Sequence, residues 1–140
     1  MSFNNSLENS LLDQVWGDAA YSPPANWYVG LSSTPPQEDG TGITEPATLD
    51  GYARVEVANN LTQWPAATTE ANVGTKQNGQ EIEFPTATDP WGSVEYFFFA
   101  DDATATGANV KAYGTLDEAK SIGTGDTAAF APEAITIQLD

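Results

Sequence analysis

Catalysis in this chain would have to rest on carboxylates. Its 140 residues include no histidine and no cysteine, so imidazole bases, imidazole metal ligands, thiolates and disulfides are all missing. Two pairs of acids have a spacing that chemistry could use. Glu81 and Glu83 alternate with Ile82 and Phe84, which puts their Cβ atoms ~7 Å apart on one face of a strand. Two-carboxylate glycosidases work with separations of that order. Asp101 and Asp102 form the second pair. Alternating acids are also what any half-exposed strand shows, and the reading adopted is that the chain is not an enzyme. Glu38-Asp39-Gly40-Thr41-Gly42 and Asp101-Asp102 place carboxylates in loops, where calcium takes oxygen ligands. Neither has the spaced acids of an EF-hand loop. They read as solvated acidic loops, and no metal or cofactor is expected.

The aromatic residues are the next candidates. Trp27, Trp64 and Trp91, with Tyr28, Tyr52, Tyr96 and Tyr113, fall on or beside the ends of expected strands. A sugar ring could stack there, although such residues more often serve as core bodies with a hydrogen-bonding tip. Arg54 is the only arginine, and a carboxylate partner in a structural role is expected for it. Twenty acids against four Lys and Arg leave a net charge of −16. Nucleic-acid binding needs cations to displace phosphate counterions, so neither DNA or RNA nor an anionic membrane is an expected partner. The charge itself reads as a source of solubility. No apolar run approaches a transmembrane length, and MSFNNSLEN lacks the basic start and apolar centre of a secretory signal. A soluble protein made in a cytoplasm is expected.

The elements that must position these residues are short and mostly β. Leu7, Leu11, Leu12, Val15 and Trp16 recur at helical steps. They predict one helix over residues 5–17, with Asn5 and Glu8 as a capping pair and Gly17 at the C-cap. From Trp27 onward the pattern is extended. Expected strands are WYVGLS, GYARVEVA, a short piece at Leu61–Trp64, Gln80–Phe84, Ser93–Ala100, Val110–Leu116, a weak piece at 119–122, and Ala134–Leu139. In the second of these, Ala53, Val55 and Val57 are expected to share one face, with Tyr52, Arg54 and Glu56 on the other. Residues 66–77 read as a loop and Asn78-Gly79 as a hairpin turn. Phe97, Phe98 and Phe99 cannot all face one side, so their strand is expected to be buried on both faces or to lie at a subunit contact. Regular turn signals without helical interruption predict a mainly β protein. Its expected form is an antiparallel, jelly-roll-like β-sandwich of seven or eight strands (residues 21–140) preceded by a helical segment (residues 1–20). A last strand running to the C-terminus ties that end into a sheet, leaving the N-terminal helix as the freer appendage.

The longest connection, Ser33 to Asp50, joins the first two core strands and has almost no core-forming side chains. So long an irregular segment in a small domain ordinarily serves contact.

The motifs YSPPANWYVGLSSTPP, GYARV, IEFPTAT followed by WG, WGSVEYFFFAD and the closing ITIQLD resemble a group of small tailed-bacteriophage virion proteins. These are described as tail-fibre-like or minor structural proteins of head or tail. The similarity covers nearly the whole chain, although AATTEANVGTKQNG is longer than it leads one to expect. It implies a β-sandwich mounted on the virion, with no enzyme activity and no cofactor. By analogy with particle-surface proteins, the expected partners are further copies of the chain, as a homotrimer, and a capsid or tail protein. Subunit contact is expected through Pro35, Pro36, Glu38, Asp39, Phe97, Phe99, Leu11 and Trp16. The alternative expectation is a module that binds a host surface glycan, with calcium assistance or without it.

Overall fold

The computed structural model describes residues 1–139. The elements, in order, are β1 (Ser2–Phe3), α1 (Asn5–Trp16), β2 (Asn26–Ser32), β3 (Val55–Ala58), β4 (Thr68–Glu70), β5 (Val73–Gln77), β6 (Ile82–Glu83), β7 (Gly92–Ala100), β8 (Val110–Ile122), β9 (Ala129–Phe130) and β10 (Thr136–Leu139). All strand pairings are antiparallel. A five-stranded sheet has the order β1-β8-β7-β2-β3, a three-stranded sheet β10-β5-β4, and a two-stranded sheet pairs β6 with β9. The expected mainly β sandwich therefore forms, with ten strands among the described residues instead of seven or eight.

The main core lies between the large sheet and the smaller ones. Val29, Leu31, Val57, Phe97, Phe99 and Ala112 from the large sheet meet Trp64, Ile82, Phe84 and Ile135. Successive strand residues point to opposite faces, so Phe98 cannot join them. It is fully buried on the other face with Ala100 and Val110, where Ile43 of the long connection packs over it. The central strand β7 is thus covered on both sides within one chain. Its Phe98 lies opposite Gly30 of β2, and a Cβ on Gly30 would sit 2.2 Å from the ring. Only glycine leaves room for that ring to lie across the neighbouring strand.

Several local expectations change. The helix is capped by Asn4, not Asn5: the Asn4 side chain accepts from the Ser6 N–H at 2.7 Å. Gly17 does occupy the C-cap. The segment before the helix is anchored, because Ser2 and Phe3 pair with Tyr113 and Ala112 of β8. Leu61–Trp64 forms turns, with Trp64 delivered to the core. Residues 66–77 hold the β4–β5 hairpin, turning at Ala71-Asn72 with φ of 49° and 69°. These are the positive angles of a two-residue type I′ turn, adopted without glycine. Asn78-Gly79 makes no hairpin, because the Asn78 side chain is fully buried and employed elsewhere. It donates to the carbonyls of Gln80 and Ala131 and accepts from the Ile135 N–H. The pieces at 110–116 and 119–122 merge into the single strand β8.

Candidate functional site

The residue that shapes the outer surface is Arg54. In the run Tyr52-Ala53-Arg54 the chain is extended ahead of β3, and Tyr52 and Arg54 turn inward while Ala53 is exposed. Arg54 thus lies on the Phe98 face, opposite Val55 and Val57 as expected, whereas Tyr52 departs from the expected grouping by joining Val57 in the main core. The polar tips of both find complete partners. The Arg54 guanidinium has five N–H donors, and all five are used. Nε and Nη2 donate to the two carboxylate oxygens of Glu45 at 3.0 and 2.8 Å. Nη1 donates to the carbonyls of Asp102 and Ala105, both at 2.8 Å, and Nη2 also reaches the Thr104 carbonyl at 3.1 Å. The guanidinium carbon lies 4.8 Å above the centre of the Phe98 ring, a cation–π contact.

The partners are themselves positioned. Asp102 accepts the N–H groups of Thr104 and Ala105, each at 2.8 Å, and so curls the loop that offers Arg54 its carbonyls. Those N–H groups hold the Asp102 carboxyl below the usual carboxylate range. Tyr52 donates to Glu45 Oε1 at 2.7 Å and accepts from the Leu31 N–H at 2.9 Å. Burial, and then the Glu45 charge, push its phenol far above the ordinary tyrosine range. Trp91 packs edge-on to Tyr52 and donates its Nε1 to the Asp50 carbonyl at 2.8 Å.

This network clamps the Ser33–Asp50 arm at its far end. At the near end the Ser32 hydroxyl accepts from the N–H groups of Thr34 and Thr44. Between the clamps the arm folds on itself, with Ser33 N–H to Thr44 carbonyl at 3.0 Å and Gln37 N–H to Thr41 carbonyl at 2.9 Å. Asp39 accepts from both the hydroxyl and the N–H of Thr41, and these bonds hold its carboxyl below the usual range. The tip rests on its own chain, where Asn5 N–H donates to the Glu38 carbonyl and Gly107 N–H to the Gly40 carbonyl. The arm thus lies along its own chain, with Glu38 and Asp39 exposed at its edge.

The residues expected at subunit contacts fall into three groups. Pro35, Glu38 and Asp39 are exposed on the arm, while Pro36 is buried beneath it. Leu11 is half-buried, and Trp16, 79% exposed, stands clear of the sheet. Phe97 and Phe99 belong to the chain's own core, with 8% and 4% exposure, so the surface expected of them is already occupied within one subunit. Their burial follows from the layer packed on that face of β7, where Phe130 meets Phe97 and Trp64 meets Phe99.

The chemical candidates are scattered. Glu81 and Glu83 are exposed beside the buried Ile82 and Phe84. Asp101 accepts from Asn109 and pairs with Lys111 at 3.3 Å, while Asp102 serves its own turn. Among the described residues no three His, Cys, Asp or Glu side chains gather as cation ligands. Trp64 and Trp91, read as core bodies with sugar stacking as the alternative, are 4% and 8% exposed core residues. Sequence reasoning anticipated a carboxylate for Arg54 but had no signal for choosing Glu45 among twenty acids, nor for the buried role of Asn78.

A family model described as Podophage GP4 fiber I protein gp80 matches residues 2–138. The chain belongs to that family. It is a phage structural protein of the fibre type, and such proteins are located in the virion. The motif resemblance read from the sequence is thereby confirmed over nearly the full length. No curated protein matches the chain. Among the described residues no helix is long and apolar enough to cross a membrane.

Proposed function

We propose that this fibre-family protein is a non-enzymatic accessory subunit that assembles as a homotrimer on the head or tail surface and meets a capsid or tail protein through its Ser33–Asp50 arm. The observation that carries this reading is the clamp of Arg54 on Glu45. A buried arginine with every donor satisfied is an investment in holding the arm still. A surface already ordered loses less entropy on binding. The arm's exposed residues, among them Pro35, Glu38, Asp39 and the 93% exposed Leu49, are then free for a partner. Geometry favours assembly over glycan recognition, because Trp64 and Trp91 are spent in the core. The solvent-facing Glu81 and Glu83, outside any enclosed cleft, support a role without catalysis.

The test is incorporation. Phage carrying Glu38→Lys should fold this protein normally but retain less of it in purified particles, measured by quantitative immunoblot, while a control change at the exposed Glu118 should have no effect. Wild-type incorporation of Glu38→Lys would reduce the arm to a tolerated loop. Light scattering on the purified protein checks the trimer, and a monomer at micromolar concentration would remove that part.

A further inference from the structure

The helix α1 is only half seated. Leu7 is buried and Leu11 half-buried, but Leu12, Val15 and Trp16 are 56%, 62% and 79% exposed. These three lie at i, i+3 and i+4, so they form one apolar face on the last turn. Beside the same helix is an apolar groove of about 260 Å³, walled by Phe3, Leu7, Leu11, Trp27, Trp64 and Phe99. Resting on the self-assembly part of the reading above, we propose that the last turn of α1 of one copy seats in this groove of a second copy, with Trp16 as the anchor.

Charge argues for a second copy as the occupant. Two chains of net charge −16 repel each other, so contact costs least where cations gather. Two of the four cationic side chains, Lys76 and Lys111, line this groove. Lys111 already pairs with Asp101. Lys76 donates to the Pro65 carbonyl and, among the described residues, has no carboxylate partner. The incoming helix end is its complement: Asp13 and Asp18 flank the apolar face, and no basic residue lies in the last turn. The helix C-terminus adds partial negative charge from its unpaired carbonyls.

Hydrogen bonding points the same way. Trp64 Nε1 and the Tyr21 hydroxyl are buried without a partner among the described residues, and both residues line the groove. The last carbonyls of a helix lack intrahelical donors, so an incoming turn that displaces the wall brings acceptors to these two donors, which lie closed to solvent just behind it. An exposed tryptophan entering an apolar pocket is the usual form of an interface anchor. A tip-into-groove contact is heterologous, and one that closes after three copies gives the proposed trimer.

The experiment is sedimentation velocity on the full chain across a concentration series, comparing wild type with Trp16→Ala and Lys76→Glu, with circular dichroism confirming the fold. Trp16 is exposed in the single chain, so its truncation leaves the fold alone. Each variant should raise the dissociation constant about tenfold or more. An oligomeric wild type with both variants assembling equally well would overturn the groove while leaving self-assembly standing. A monomeric wild type would overturn self-assembly itself, and the groove contact with it.

Discussion

Arg54 and Glu45 meet side by side, with two parallel N–H to carboxylate bonds at 3.0 and 2.8 Å, although nine residues and a change of direction separate them in the chain. The pair fastens an irregular arm to the edge of a sheet. Its arginine side chain is only 2% exposed, and that of Glu45 is 22% exposed. Truncating one partner leaves the other charge poorly solvated. Arg54→Met should therefore cost about 3–5 kcal/mol of stability, read as a fall in the denaturation midpoint. Arg54→Lys should recover little, because an ammonium cannot bridge Glu45 and reach the carbonyls of Asp102, Thr104 and Ala105 together.

The buried Tyr52 phenol makes the fold sensitive to alkali. Its folded pKa is raised, so its contribution is fully present below the unfolded value of about 10 and is lost as pH rises beyond it. Stability should decline from about pH 10 upward, and the ultraviolet signal of phenolate should lag until unfolding releases Tyr52. Tyr52→Phe should flatten the alkaline decline. It should also cost about 1–3 kcal/mol at neutral pH by leaving the Leu31 N–H unsatisfied. An alkaline profile identical in the two proteins would contradict this account.

Asn78 ties the end of β5 to the approach of β10 with three side-chain hydrogen bonds from a fully buried position. Asn78→Ala removes them and strands the Ile135 N–H, while the Ala131 and Gln80 carbonyls keep the Ala134 N–H and the Gln63 amide. A loss of about 1–3 kcal/mol is expected, measurable by urea denaturation. Asn78→Asp should be no better, since a carboxylate cannot donate to the Gln80 and Ala131 carbonyls.

The β4–β5 hairpin turns through Ala71 at φ 49°, a conformation that costs a residue with a Cβ roughly 1 kcal/mol. Ala71→Gly should raise the melting temperature slightly, unlike most glycine substitutions. A fall would mean that chain entropy outweighs the relief of strain at this site.

Much of the architecture was legible from local chemistry. Alternating apolar residues marked β2 and the approach to β10, the continuous apolar run VEYFFF marked β7, the recurring leucines marked α1, and the motif runs pointed to the fibre family later matched over residues 2–138. Composition alone excluded the histidine and cysteine chemistries. These features follow from residue types and short spacings, which the chain carries whether or not it is folded. What only the tertiary structure decided depends on partners distant in sequence. Phe97 and Phe99 are core instead of contact because Phe130 and Trp64, distant in sequence, cover their face of β7. Asn78-Gly79 fails as a hairpin because Ile135 and Ala131 capture the amide. The connection from Ser33 to Asp50, without strand periodicity, is ordered because Glu45 finds Arg54 and Ile43 covers Phe98. No local signal distinguishes Glu45 from the other acids; the burial of one guanidinium, which requires all five of its donors to be met, selects it.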